Sequence, residues 1–229
     1  MVRSAMRFVA ALVVMSVGLS SAIARADTDG QDRVVERARL ALDAFLDDPG
    51  FEGMRVYVQN AYAVLVVPGL LRAGFLIGGE HGIGVLLARN PQTGDWGQPA
   101  FFEIYGGSLG IQIGGQSSDV VFTVMNEGAV DKLLTSGIKL GADAGLAAGR
   151  LGAGIGAATT THFGEDIYVF AKSMGLFGGF TLDGAWFRPK DDWNASYYGR
   201  PAPAGEIVRD HAASSSADVA ALHQSLIRF

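Results

Sequence analysis

The chain has 229 residues, of which 49% are apolar and 18% charged, and this composition is too apolar for a disordered protein. Cysteine is absent, which excludes disulfides, a thiolate nucleophile and any cysteine-ligated metal centre. The 32 glycines follow no G-X-Y repeat, which excludes a collagen-like chain, and the length fits one domain with its own core.

The first 26 residues predict a secretory signal peptide. Arg3 and Arg7 form a positive start, residues 8–19 are an uncharged apolar run, and Ala24-Arg25-Ala26 matches an A-x-A cleavage site. The run is shorter than the ~20 residues of a membrane-spanning helix. We therefore expect export, cleavage after Ala26, and a periplasmic or secreted mature chain that begins at Asp27.

Removal of this segment makes the chain more acidic. Three arginines and no acid are lost, which leaves 15 basic residues against 23 acidic ones and a net charge of −8. Such a charge disfavours nucleic acid as a partner, and it disfavours a purely electrostatic attachment to anionic lipid. Membrane contact would then need a local basic patch or inserted apolar side chains.

The first segment of the mature chain has the periodicity of an amphipathic helix. Apolar residues recur at three- and four-residue steps over residues 32–48, and Pro49-Gly50 is expected to end this helix. A second short helix is expected over residues 51–60. We expect the apolar face of the first helix to pack on the sheet of the same domain, and membrane insertion is the alternative.

From Ala61 the pattern changes to short β-type runs. Strands are predicted over residues 61–67, 75–77, 83–87, 99–114 and 120–124, with a turn at residues 90–95. Asn126 is expected to cap a brief helix that stops at Gly137. Glycine-rich β-type segments resume over residues 138–183, and helices are expected around Glu206 and over residues 217–228.

Glycines are spread across several predicted strands, for example at residues 106, 107, 110, 114, 115, 178 and 179. Glycine inside a strand usually marks a bulge, a sharp bend or a close backbone approach. We therefore predict a single α+β domain over residues 27–229. Its strongly coiled, glycine-rich antiparallel sheet could curl toward a barrel, with N- and C-terminal helices packed on it.

Short motifs in the sequence match those of catalytic sites but lack the structural context that catalysis requires. Ser108 lies in a G-x-S-x-G pattern, but an alternating β pattern follows it where a nucleophile elbow requires a helix. Glu80 and His81 are adjacent in a glycine-rich stretch, which we interpret as a solvated loop. The four histidines have no metal-ligand spacing, so we predict no metal site, no cofactor and no enzyme.

Several ordered blocks resemble a known family. They are residues 63–68, 72–79, 82–86, 93–96, 99–102, 110–116, 124–126, 171–179 and 197–199. Over residues 55–200 the sequence thereby resembles the SYLF family of lipid-binding domains. The resemblance implies a non-enzymatic domain that binds membrane lipid. Actin and phosphoinositides, which eukaryotic members bind, would not be expected partners of an exported bacterial protein.

These arguments predict a lipid-binding surface of cations and aromatic rings. The N-terminal candidates are Arg33, Arg37, Arg39, Phe45 and Phe51, and the family blocks add Arg72, Lys172 and Phe177. We expect insertion of Phe45 or Phe51 to contribute more than charge does. The alternative is a structural or protein-interaction module of the bacterial envelope that uses an exposed sheet edge or loops.

Overall fold

The structure is a computed structural model, and it describes residues 28–75, 77–109, 114–140, 146–148, 166–174, 184–210 and 216–229. The predicted signal peptide and Phe177 lie outside these ranges. Within them, none of the helices is both long enough and apolar enough to pass through a bilayer.

In the described residues, six α-helices pack around the sheet. Helix α1 spans residues 28–46, and a 3₁₀ turn follows it at Pro49–Phe51. The later helices are α2 (Met54–Asn60), α3 (Glu127–Thr135), α4 (Asp191–Tyr198), α5 (Ala204–Ile207) and α6 (Ala217–Ile227).

Both predicted ends of α3 are confirmed. The side chain of Asn126 accepts a hydrogen bond from the backbone N–H of Ala129 at 2.7 Å, which satisfies one of the free donors of the first turn. Gly137 follows the helix with φ 75°, the left-handed conformation that glycine adopts at low cost after a helix.

The part of the chain that the structure describes contains one sheet of eight strands: β1 (Ala63–Phe75), β2 (Ile77–Ala88), β3 (Ala100–Leu109), β4 (Gly114–Val124), β5 (Ile138–Lys139), β6 (Leu146–Ala148), β7 (Ile167–Met174) and β8 (Trp186–Pro189). Their order across the sheet is β5-β8-β3-β2-β1-β4-β7-β6. In this spatial order, each strand from β5 through β7 pairs antiparallel with the next one. The last strand, β6, pairs parallel with β7. The sheet curls into a half-barrel, so the α+β prediction is confirmed.

Two strands are longer than the sequence pattern predicted. Strand β1 continues through Pro68-Gly69, where its register shifts against both neighbours and Gly69 adopts φ 67°. This bulge accommodates the turn-like dipeptide without ending the strand. Strand β2 includes Glu80 and His81, which pair with the next strand, so the predicted loop at these residues is wrong.

A third boundary also differs from the prediction. The strand predicted over residues 99–114 covers all of β3 and only the first residue of β4. Strand β4 begins at Gly114, well before the predicted start at Val120, because glycine and polar residues pair in its first half.

Each face of the sheet has its own hydrophobic core. On the front face, buried side chains of α1, α2 and α6 pack against Val64, Val66 and Phe101. On the back face, α3 and α5 pack against Leu65, Phe102 and Phe122. The apolar face of α1 therefore packs on the sheet, as predicted, and the terminal helices share one side of it.

Candidate functional site

The two N-terminal phenylalanines belong to the front-face core. Phe45 is 1% exposed, and Phe51 packs edge-on against it with the ring centres 4.7 Å apart. Phe51 is only partly buried. Insertion of Phe45 into lipid would require α1 to separate from the sheet, so its role in lipid contact stays a prediction that this conformation does not favour.

The three arginines of α1 have different surroundings. Arg33 is exposed, and Arg37, one helical turn later, is also exposed. The guanidinium of Arg37 lies over Gly69, since a Cβ added there would collide with it. Arg39 forms an ion pair of 2.8 Å with Asp43 and so contacts its own helix. The structure therefore groups Arg33 with Arg37 but separates Arg39 from them.

Arg72 and Lys172 form ion pairs within the chain. Arg72 Nε lies 3.0 Å from Glu80 Oε2, and the two side chains are 14% and 11% exposed. Lys172 Nζ lies 2.8 Å from Asp48 Oδ2 and donates to the carbonyl of Ala44. The hydrogen bond from Lys172 lowers the pKa of Asp48 below its usual value. Both cations therefore connect elements of the fold.

Sequence reasoning missed a row of side chains on the front face, beyond the part that the helices cover. Strand pairing places Leu71, His81, Tyr105 and Trp186 side by side on β1, β2, β3 and β8. Leu71 is 59% exposed, Trp186 40% and Tyr105 37%, and His81 is exposed as well. We call these four residues the exposed row. At ~4.8 Å between strands it extends over about 14 Å.

A cation lies over each aromatic ring of the exposed row. Lys139 Nζ is 5.9 Å from the centre of the Trp186 ring, and Arg188 Cζ is 5.1 Å from that of Tyr105. Both distances fall within the ≈ 6 Å range of cation–π attraction. Arg188 also pairs with Glu103 of β3. The row therefore combines apolar surface with positive charge.

A second row lies two residues further along the strands, on the same face. Its members, Ala73, Gly79, Gly107 and Gly115, pair in register and are exposed. A Cβ added to any of these three glycines would come no closer than 3.8 Å to another atom. Packing within the described chain therefore does not require glycine there. We call these four residues the small-residue row.

Ser108, the centre of the G-x-S-x-G pattern, lies within β3, and its backbone pairs with Gly78 of β2. In the part of the chain that the structure describes, no group of three or more His, Asp or Glu side chains is arranged to hold a metal ion. The features that stand out at this surface are apolar rings and cations, which bind by contact and charge.

Residue register explains why the exposed row escaped the sequence analysis. Leu71, His81, Tyr105 and Trp186 come from four separate strands, and each is unremarkable in its own alternating pattern. The one local feature that could have indicated Tyr105 and Trp186 is an aromatic side chain at an outward strand position, which is a candidate for a binding surface.

Comparison with known proteins identifies related chains. The Ysc84 family, described as "Las17-binding protein actin regulator", matches residues 105–228. The SH3 domain-containing YSC84-like protein 1 of Xenopus laevis is 33% identical over 137 residues, which are 59% of this chain and 41% of that protein. Protein YSC84 of Saccharomyces cerevisiae is 32% identical over 146 residues, which are 62% of this chain and 31% of that protein.

The rat YSC84-like protein 1 is 30% identical over 145 residues, which are 63% of this chain and 42% of that protein. The chain thus matches less than half the length of these relatives. Two of these three names describe an SH3 domain-containing protein, and none of the three names a catalytic activity. Since the family match covers more than half of the sequence, the chain belongs to the Ysc84 (SYLF) family.

Proposed function

We propose that this chain is an exported, non-enzymatic domain that attaches to a membrane lipid surface in the bacterial envelope. The observation that supports it best is the pair of exposed aromatic rings with a cation over each, Trp186 with Lys139 and Tyr105 with Arg188. Tryptophan and tyrosine combine an apolar ring with a polar atom, and with lysine and arginine they are favoured where lipid headgroups meet water.

The expected charge of the mature chain favours attachment through apolar contact. At a net charge of −8, long-range attraction to an anionic membrane is weak, and salt screens charges beyond ~8 Å under physiological conditions. Contact of exposed rings and Leu71 with the bilayer acts at short range and is insensitive to salt. The cations near the rings would add attraction to headgroup phosphates once contact is made.

A second candidate function is protein binding. The family description names a bound protein, Las17, and a regulator of actin, which supports interaction with a protein. This chain matches less than half of its relatives' length. The partners of those proteins therefore suggest only that this chain binds a protein, and they do not name which one. An envelope protein would be the partner of an exported chain.

Sedimentation with liposomes tests the lipid proposal. The purified protein would be mixed with vesicles of phosphatidylcholine, alone or with phosphatidylglycerol, at about 50 mM and about 500 mM salt. We expect co-sedimentation that survives the higher salt. Absence of binding to both compositions would overturn lipid attachment in favour of the protein-binding candidate. Binding that vanishes at high salt would overturn the apolar mode.

A further inference from the structure

We infer that the lipid-contacting surface is the end of the front face that contains the exposed row and the small-residue row, with Arg37 of α1 at its margin. The inference rests on the proposed lipid attachment and specifies the face that meets the bilayer. It replaces the expected insertion of Phe45, because that side chain is buried between α1 and the sheet.

The two rows on this face form a broad contact surface. Leu71, His81, Tyr105 and Trp186 are neighbours across four strands, and the small-residue row runs parallel to them about 7 Å further along the strands. Sites for small molecules are concave and enclose most of their ligand. Two parallel rows on an exposed sheet surface instead offer broad contact to an extended surface such as a bilayer.

The small-residue row supports a close approach of that surface. A glycine inside a strand weakens that strand. Such a glycine often marks a place where another group comes near the backbone. Elsewhere in β2 the reason is internal, since a Cβ on Gly84 would collide with the backbone of Val66. Among the described residues, Gly79 of the same strand has no such close neighbour. A Cβ on Gly79, Gly107 or Gly115 would come no closer than 3.8 Å to another described atom, which leaves room for an external partner.

Cations stand at both ends of the exposed row, where headgroup phosphates would lie. Lys139 and Arg188 are over the rings at the β8 end. At the β1 end, Arg37 lies over Gly69, close to Ser117, which pairs with Leu71. This arrangement of an apolar centre with a basic margin is complementary to an anionic membrane interface.

Two acids on the described strands of this face, Glu103 and Asp119, have partners of their own. Glu103 pairs with Arg188, and Asp119 accepts a hydrogen bond of 2.9 Å from the backbone N–H of Gly69. Each carboxylate therefore has a partner within the chain.

Tryptophan fluorescence tests which face meets the lipid. The chain has three tryptophans, of which Trp96 is 5% exposed, Trp193 is partly buried and Trp186 is 40% exposed. Vesicles of phosphatidylcholine and phosphatidylglycerol with brominated acyl chains quench only a ring that reaches them. We expect quenching of the wild-type protein and loss of more than half of that quenching in Trp186→Phe.

Matched surface variants give a second readout by co-sedimentation. Leu71→Ser is expected to weaken vesicle binding about tenfold, as for the loss of one buried leucine side chain. The controls are Ile227→Ser on α6 and Leu40→Ser on α1, at exposed apolar positions outside the row, and both are expected to bind as the wild type does. Circular dichroism would confirm that each variant is folded.

A second pair of variants tests whether the small-residue row contacts lipid. Gly107→Glu adds bulk and negative charge to the proposed surface without an internal clash and is expected to weaken vesicle binding at least tenfold. Gly128→Glu adds the same side chain to the first turn of α3, away from the front face, and is expected to have no effect on binding.

The outcomes separate the two proposals. If the wild-type protein fails to co-sediment, lipid attachment itself is wrong. If it co-sediments while Trp186 remains unquenched and Leu71→Ser and Gly107→Glu bind normally, attachment stands and this surface is wrong. Loss of binding in Leu40→Ser with normal binding of Leu71→Ser would place the contact on α1 instead.

Discussion

At the scale of single residues, side chains from outside the sheet satisfy backbone groups of β3. Asn194 of α4 is 0% exposed, and its Oδ1 accepts a hydrogen bond of 2.7 Å from the N–H of Phe101. Its Nδ2 donates to the carbonyl of Phe101, which also accepts from Lys190 N–H. The Asn194 side chain therefore holds α4 on the sheet by substituting for a neighbouring strand.

Asn194→Ala is expected to lower the free energy of unfolding by about 1–3 kcal/mol, because the buried N–H of Phe101 loses this partner. Urea denaturation followed by circular dichroism would measure the change. Asn60→Ala, which removes an exposed side-chain bond to Val56, is the control and should change stability by less than about 0.5 kcal/mol. Equal effects of the two substitutions would contradict this role.

At the scale of secondary-structure elements, a few polar side chains join segments that are distant in sequence. Asp43 of α1 accepts hydrogen bonds from Arg39 of its own helix and from Ser225 and Arg228 at the C-terminal helix, at 2.8, 2.8 and 2.9 Å. The side chain of Asp43 is 26% exposed, so solvent screens these contacts only in part. It connects α1 to α6.

Asp43→Ala should reduce stability by about 1–2 kcal/mol, since charge-assisted bonds contribute ~1.5–3 kcal/mol when buried and less when partly exposed. Amide hydrogen exchange should become faster in α6 than elsewhere. Asp47→Ala is the matched control, because Asp47 is 78% exposed and lies 3.9 Å from Arg228. Unchanged exchange in α6 would refute the connection.

The Arg72–Glu80 pair joins β1 to β2 on the back face and makes stability depend on pH. Burial raises the pKa of Glu80, although Arg72 favours its charged form. The folded protein therefore holds the Glu80 proton more tightly than the unfolded chain does. This contribution to stability is present below the unfolded pKa of about 4.3 and is lost as pH rises through the folded pKa.

Glu80→Gln tests that linkage, since glutamine cannot ionise. We expect the stability of the wild-type protein to decrease relative to that of the variant as pH rises from about 4 to 7. Chemical denaturation at several pH values would measure the difference. A wild-type protein that gains stability over the variant across this range would show that Arg72 outweighs burial.

At the scale of the whole molecule, the predicted leader would determine the N-terminus of the exported protein. If residues 1–26 are removed on export, mass spectrometry of the exported protein should find Asp27 as its first residue. The expected net charge of the remainder is −8. An intact protein that retains residues 8–19 would contradict the periplasmic or secreted location.

Parts of the fold could be predicted because their signals are local. The spacing of Val35, Leu42 and Phe45 predicted a helix with one apolar face, and that face is buried. The Asn126 cap and the Gly137 stop depend on hydrogen bonds and dihedral angles within a few residues. The ends of the strands were harder to predict. Strand β1 continues beyond its predicted end because a bulge at Pro68-Gly69 has the same local sequence signal as a turn.

The sequence by itself determined the family, the α+β class, the N-terminal helix and both ends of α3, because ordered blocks, hydrophobic periods and caps are properties of the chain alone. The tertiary structure decided which residues are available at the surface. Phe45 is buried because α1 packs on the front face, whereas Leu71, Tyr105 and Trp186 become neighbours only through strand register. Register and burial arise from contacts between distant segments, which no local pattern contains.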